Sequence, residues 1–222
     1  MDFDFSPITE NWHYLLGGLG VTLALSAVTV LASLLLGTGI GIARVFGAAW
    51  LRLPLILYID SMRAVPVLVV LVWTFFAVPI LLPGLSLPPF WAAVVALTVH
   101  IAAYVAEIVR AGIESIRPGQ VRAGLALGMS RAEVVRKIIL PQAVVRMLPA
   151  FGSIVSITIK DTAIATVIAV PEYMKRSETL AGQSYHPIEV FTFAMIVYFL
   201  ILFPVTRLID VAYRRVAHLG RS

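Results

Sequence analysis

The sequence predicts an all-α integral membrane protein with five transmembrane helices. Of the 222 residues, 60% are hydrophobic and 13% are charged, and the mean hydropathy is +0.96. A soluble domain of this length cannot bury so much apolar side chain. Residues 14–43 contain no ionisable group except Tyr14, and residues 64–99 contain none. Since one crossing needs only about 20 apolar residues, both segments are predicted to lie in the membrane.

The second of these segments is too long for one helix. Pro79, Pro83-Gly84 and Pro88-Pro89 interrupt it, and proline favours a turn because it lacks an amide donor and restricts the backbone. We therefore predict two spans joined by a short hairpin loop. The chain forms a single transmembrane domain over 1–222, with spans near 15–43, 54–78, 90–109, 148–170 and 190–207 and a cytoplasmic loop at 110–147.

Arginine and lysine predict the orientation of the spans. Basic residues in short loops are retained on the cytoplasmic side, and here they concentrate after the first span, after the third span and in the tail. Nothing before Arg44 is basic, and the alternate loops contain only Lys175 and Arg176. The N-terminus is therefore predicted outside and the C-terminus inside, and the net charge of +5 needs no nucleic acid to explain it. The first span lacks a basic leader and is too long for a signal peptide, so we expect it to stay in the mature protein.

The sequence offers no catalytic or metal site. It has no cysteine, and its four histidines are scattered. A phosphate-binding loop needs a lysine after a glycine, and none of Lys137, Lys160 and Lys175 follows one. The run Gly37–Gly41 lies in an apolar span, where it favours close helix packing of the small-xxx-small kind. We therefore expect a subunit that is not an enzyme and holds no cofactor.

The 110–147 loop contains a predicted helix, turn and second helix. Ser130-Arg131-Ala132-Glu133 is a capping box, and Gly128 suits the left-handed position that ends a helix from about 119 to 127. The second helix is predicted to end at Pro141. Its apolar face is formed by Val134, Val135, Ile138 and Ile139. This pattern fits either an amphipathic helix lying on anionic lipid or a docking element for a soluble partner.

The residues around this loop resemble the "EAA" loop of bacterial ATP-binding-cassette (ABC) importer permeases. The polar amino acid branch, and especially its glutamate/aspartate permease subunits, is matched closely by several segments: Gly119-Gln120, Ala126-Leu127-Gly128-Met129-Ser130, Ile138-Ile139-Leu140-Pro141-Gln142-Ala143, Arg63-x-x-Pro66, Ala106-Glu107-Ile108-Val109-Arg110, Lys160-Asp161-Thr162 and Val167-Ile168-Ala169-Val170. One departure is the triplet Arg122-Ala123-Gly124, which lacks the usual glutamate. An ion-pairing role of that glutamate cannot be transferred to Arg122.

This resemblance implies a type I ABC importer permease fold in the bacterial cytoplasmic (inner) membrane. It implies three partners: a cytoplasmic ABC ATPase dimer that binds ATP and magnesium, a second permease subunit, identical or homologous, and an external or periplasmic solute-binding protein. The loop would then couple the pore to the ATPase. The coupling residues that it implies are Ala123, Gly124, Ala126, Gly128, Met129, Ser130, Arg131, Glu133 and Pro141.

Ionisable groups at membrane depth are costly, so each is a candidate for the substrate pathway or a gate. His100, Tyr104 and Glu107 share one helix face, although Glu107 and Arg110 could simply pair at the cytoplasmic end. Lys160-Asp161-Thr162 interrupts the fourth span, and we expect Lys160 and Asp161 to face the protein interior, either in the pathway or in a structural network. Arg63 is either a cytoplasmic anchor or a gate residue.

Three functions stay open from the sequence. The first is a permease subunit of an ATP-driven importer for polar amino acids, with glutamate/aspartate favoured by appearance. The second is a permease for another small solute, such as an ectoine-like compound. The third is a membrane scaffold or receptor that binds a cytoplasmic protein through the same loop.

Overall fold

The chain is helical along almost its whole length. The computed structural model describes residues 3–217, and this part of the chain has no strand. Asp2, His218 and Arg221, which the charge and histidine counts above include, lie outside the described residues. The helices are α1 Ser6–Glu10, α2 Trp12–Phe46, α3 Ala49–Ala64, α4 Val67–Leu81, α5 Pro89–Glu114, α6 Pro118–Ala126, α7 Arg131–Ile168, α8 Tyr173–Ser184 and α9 Pro187–Ala217.

Four of these helices are each long and apolar enough to cross a membrane: α2, α5, α7 and α9. Helices α3 and α4 meet the same test only as a pair, and they are bent by 108° relative to each other. The all-α fold is therefore confirmed, and its second span is broken. The interruption predicted between the second and third spans corresponds to the non-helical segment 82–88.

The break between α3 and α4 differs from the single helix predicted at 54–78. Val65 is extended, with φ −92° and ψ 134°, and Pro66 precedes the first residue of α4. A residue before proline avoids the helical region, and proline itself has no amide to donate. The Val65-Pro66 pair therefore ends one helix and starts another in a new direction.

Helix α7 also differs from the prediction, because it continues through Pro141. Residues Val135–Ile139 form a π-helical turn that ends two residues before the proline. Such a wide turn accommodates a residue that cannot make the regular backbone hydrogen bond. As a result, one continuous helical element runs from the turn after α6 to Ile168.

Helix α5 lies at the centre of the fold and packs against α2, α3, α4 and α7. Its contact with α2 uses a row of small residues. A Cβ added to Gly37 would lie 2.5 Å from Val105 Cβ and 2.6 Å from the Ala102 carbonyl oxygen, and one added to Gly41 would lie 2.7 Å from Val109 Cβ. The predicted close packing at Gly37 and Gly41 is confirmed, and it fixes α2 tightly against the central helix.

Candidate functional site

The turn between α6 and α7 has the geometry that the sequence predicts. Gly128 has φ +82°, its amide donates to Leu125 O at 3.0 Å, and the Met129 amide donates to Gly124 O at 3.1 Å. This pair of hydrogen bonds is a Schellman motif, which ends α6 in a residue with positive φ. Gly128 therefore sets the angle at which the chain enters α7.

The first turn of α7 is closed by the predicted capping box. The Ser130 hydroxyl accepts from the Glu133 amide at 3.2 Å, and the Ser130 amide donates to the Glu133 carboxylate at 3.0 Å. Lys137 Nζ lies 2.8 Å from the same carboxylate. We call α6, the turn and the first three turns of α7, residues 118–141, the hairpin.

The hairpin closes on itself at Gly124. A Cβ at this position would lie 2.7 Å from Ile138 Cδ1 and 3.1 Å from Val134 Cγ2. Val134 is buried in the main core, so the face predicted to be available to a partner instead packs inside the protein. Two leucines remain exposed near the tip, Leu125 at 42% and Leu127 at 83%. The sequence analysis missed Leu127, although its place just before the turn glycine was a usable signal.

The other predicted coupling residues divide between the surface and the interior of the hairpin. Gly124 is buried, and Met129 and Glu133 are half-buried. Pro141 lies within α7, so the expectation that it ends this helix is wrong. The exposed members are Ala123, Ala126, Gly128, Ser130, Arg131 and Pro141.

Three of the predicted pathway residues lie together: His100 and Tyr104 on α5, and Arg63 at the end of α3. The His100 and Tyr104 rings are 5.3 Å apart, and the Arg63 guanidinium carbon lies 5.8 Å from the Tyr104 ring centroid. The Tyr104 hydroxyl also donates to Arg63 O at 3.4 Å. His100 is buried, and its Nδ1 has no hydrogen-bond partner among residues 3–217. Arg63 is exposed at the bend between α3 and α4.

Glu107 belongs to a different group of side chains. It accepts from Arg44 Nη1 at 2.7 Å and from Arg110 Nε at 3.0 Å, and Arg110 also pairs with Glu114. This is the pairing that the sequence left open as an alternative to a shared face with His100. Arg44, which ties α2 to α5, was not expected in it.

Lys160 lines a groove between α7 and α9. Its cavity has a volume of about 340 Å³, and we call it the α7–α9 groove. Ser153, Ser156 and Lys160 lie on its α7 side, and Thr206 and Asp210 lie on its α9 side. The three α7 residues are separated by three and four positions, which places them on one helix face. Apolar residues, among them Ile157 and Ile209, make up most of the remaining lining, so the groove is an apolar surface that carries a few polar side chains. It lies on two helices that are long and apolar enough to span a membrane.

Lys160, Asp161 and Thr162 point to different surroundings. Lys160 is exposed on the single chain, Asp161 is half-buried, and Thr162 is buried with its hydroxyl donating to Ile159 O at 2.8 Å. Lys160 has no ion pair among the described residues. The expectation that Lys160 faces the interior is therefore wrong for one chain, because its helix face opens into the groove. Adjacent residues on a helix point about 100° apart, so Lys160 and Asp161 do not share a face.

A buried carboxylate that the sequence analysis missed lies at the start of α8. Glu172 is fully buried and accepts from the Met174 and Lys175 amides at 2.9 and 2.6 Å and from the Thr22 hydroxyl at 3.2 Å. Burial raises the pKa of Glu172, while the two amides favour its ionised form. The Thr22 hydroxyl also accepts from the Tyr173 amide at 3.0 Å. This group joins α8 to α2, and the Pro-Glu pair before α8 was its only sequence signal.

The comparisons with known proteins agree with this architecture. Residues 33–218 match the family described as the binding-protein-dependent transport system inner membrane component. The chain belongs to this family. It is 36% identical to the glutamine transport system permease GlnP of Escherichia coli K12, over 91% of this chain and 92% of that protein. It is 33% identical to the glutamate/aspartate import permease GltK of Escherichia coli O6:H1, over 97% and 99% of the two chains.

The solved structures show the same fold. A chain of a crystal structure titled as an amino acid ABC transporter with histidines superposes with a TM-score of 0.91 at 31% identity, covering 97% of this chain and all of that one. A chain of the MetNI methionine ABC transporter, in an inward-facing conformation, superposes with a TM-score of 0.78 at 21% identity, over 92% and 97% of the chains. This chain is thus a multi-pass permease subunit of an ABC amino acid importer with a type I fold.

Proposed function

We propose that this permease subunit imports polar amino acids of the glutamate/aspartate type, forming half of the translocation pore. The observation that carries the proposal is the α7–α9 groove, in which Ser153, Ser156 and Lys160 are open to the surface of the single chain. Exposing a lysine to lipid at the centre of a bilayer costs about 2.5–3.5 kcal/mol on insertion scales. The groove therefore faces water, substrate or another protein.

A second permease subunit would cover this groove. Five spans enclose too little space for a solute pore, and subunits of this kind assemble symmetrically or pseudo-symmetrically. The grooves of two subunits would then meet around a water-filled path. The single-chain exposure of Lys160 and Asp210 fits such an assembly better than it fits contact with lipid.

The lysine favours an acidic substrate. A lysine ammonium attracts carboxylates, and an acidic amino acid has one more carboxylate than glutamine. Relatives of this chain are named for glutamine, glutamate/aspartate and arginine transport. These names support a polar amino acid, and Lys160 is our reason for choosing the acidic class.

The hairpin would couple the pore to a cytoplasmic ATPase dimer that binds ATP and magnesium. Leu127 at its tip is an exposed apolar side chain, and Arg122 and Arg131 beside it are exposed cations. The turn below the tip is held by the Schellman motif and the capping box, so a displacement of the tip is passed to α7. A solute-binding protein would deliver the amino acid to the opposite face.

Uptake by the reconstituted complex tests the substrate assignment. The chain is assembled with its companion permease, ATPase and binding protein in proteoliposomes, and labelled glutamate, aspartate and glutamine are compared. We expect Lys160→Met to reduce glutamate uptake at least about tenfold and to spare glutamine more, while Lys160→Arg retains glutamate uptake. Equal kinetics for glutamate in Lys160→Met and wild type would exclude Lys160 from the pathway. If the wild type transports glutamine and neither glutamate nor aspartate, the assignment of an acidic substrate is wrong.

A further inference from the structure

A second cavity lies where α2, α3 and α5 meet, far along the chain from the α7–α9 groove. Its volume is about 240 Å³, and three arginines line it together with one glutamate and two aliphatic residues: Arg44, Arg52, Arg110, Glu114, Val45 and Ile56. None of these residues lines the groove. The cavity is therefore a separate feature that import does not explain.

The charges around this cavity are only partly neutralised. Arg110 donates hydrogen bonds to both Glu107 and Glu114, and Arg44 donates to Glu107 through Nη1. Arg52 forms no ion pair within the described part of the chain, and the other nitrogens of Arg44 have no acceptor there. Three arginines against two glutamates leave a surplus of positive charge, and Arg52 with Arg44 can present several N–H donors to an anion. Guanidinium groups suit phosphate oxygens in particular, because they donate in a planar fork.

Helix α3, which contributes Arg52 and Ile56 to the cavity, also has an exposed apolar face about 100° around the helix from them. Trp50, Leu53 and Leu57 on α3 are 75%, 65% and 59% exposed. Their spacing of three and four residues places them on one face, which runs along α3 from the level of Arg52. Tryptophan is enriched at the boundary between headgroups and hydrocarbon, so Trp50 indicates the depth at which the cavity lies. A ligand that fills both parts has an anionic head and a long apolar tail.

We propose that this cavity binds the phosphate headgroup of an anionic phospholipid, with the acyl chains along the Trp50, Leu53 and Leu57 face of α3. Basic pockets between transmembrane helices recognise such headgroups. The apolar face distinguishes the lipid from free phosphate, which would use the arginines alone. The bound lipid holds the first half of α3 against α2 and α5, and Arg52 lies about 20 Å along the helix from the 108° bend. The proposal depends neither on the transported solute nor on the orientation of the chain.

Lipid retention measured by native mass spectrometry tests this site. The full chain is purified in mild detergent and offered phosphatidylglycerol and phosphatidylcholine with identical acyl chains. We expect the wild type to retain phosphatidylglycerol preferentially, and Arg52→Gln to weaken that retention about tenfold without affecting phosphatidylcholine. Arg122→Gln is the matched control, because Arg122 is an exposed arginine on the hairpin and does not line the cavity. Arg44 is left unchanged, since its loss would leave Glu107 with one partner fewer.

Three results would overturn the proposal. The first is equal retention of the two lipids by the wild type, and the second is unchanged phosphatidylglycerol retention in Arg52→Gln. The third concerns the alternative source of the phosphate group: displacement of the lipid by inorganic phosphate at equal concentration would identify a free-phosphate site. Arg52→Lys keeps the positive charge but loses the planar fork of donors, so we expect its phosphatidylglycerol retention to lie between those of the wild type and Arg52→Gln.

Discussion

Gly128 offers the most direct test of the coupling role proposed for the hairpin, because a substitution there changes the backbone conformation and no side-chain contact. A Cβ added to Gly128 would meet no atom within 4 Å, so a larger side chain has room. Its φ of +82° is the obstacle. A left-handed conformation costs a residue with a side chain about 1–2 kcal/mol, and a β-branched residue pays more.

We therefore expect Gly128→Val to destabilise the turn by at least about 2 kcal/mol, which reduces the population of the native turn about thirtyfold relative to distorted ones. The Schellman hydrogen bonds from Gly128 and Met129 would be lost, and α7 would no longer leave the tip at the same angle. The spans are untouched, so insertion and yield should stay near normal. Uptake and the stimulation of ATP hydrolysis by the binding protein should both fall sharply in proteoliposomes.

Gly119→Val is the matched control. Gly119 lies in the first turn of α6, has no atom within 4 Å of an added Cβ and does not have positive φ. The same side chain is therefore added to the same hairpin without backbone strain, and we expect normal transport. A Gly128→Val complex with normal uptake and normal stimulated ATP hydrolysis would refute the coupling assignment and favour a hairpin that merely lies on the lipid surface.

Three further outcomes are expected. A cysteine at Gln183 should react with an impermeant label added to intact cells and one at Arg131 should not, and the reverse pattern would overturn the orientation. Gly37→Leu should lower the thermal stability and yield of the purified protein, because its Cβ would lie within 3 Å of α5 and overpacking costs about 1–3 kcal/mol. Gly39→Leu is the control, because a Cβ at Gly39 meets no atom within 4 Å, and it should leave stability unchanged. Equal stability of the two variants would contradict the packing of α2 against α5. Thr22→Val should cost about 1–3 kcal/mol, because it leaves the buried Tyr173 amide without its acceptor and removes one donor from the Glu172 carboxylate. An unchanged unfolding temperature would show that the α2–α8 contact adapts.

Features that depend on neighbouring residues could be predicted from the sequence. The capping box at Ser130 needs only a residue three positions away, and Gly128 and Gly37 are marked by their own lack of a side chain. The number of spans follows from segment length in the same way. These signals are local, and the chain keeps them in the folded state.

Features that depend on distant residues could not be predicted. Glu107 has a partner 63 residues earlier in Arg44, and Glu172 has one 150 residues earlier in Thr22. A sequence pattern does not reveal which helices will meet at these positions. Pro141 shows a third limit, because the π-helical turn before it lets a helix continue where proline chemistry alone predicts an end.

The continuity of α7 has a mechanical consequence. Arg131 and Lys160 lie on one helical element, about 44 Å apart at 1.5 Å per residue, with no connecting loop to absorb displacement. Treated as a lever, this helix would turn a tilt of about 3° into a shift of about 2 Å at its far end, by its helical length alone. If Lys160 borders the pore as proposed, a small displacement of the tip would be enough to widen or narrow it. Two glycines inserted into α7 between the hairpin and Lys160 would make the helix flexible there, so a displacement of the hairpin would no longer reach Lys160, although both ends of α7 would be unchanged.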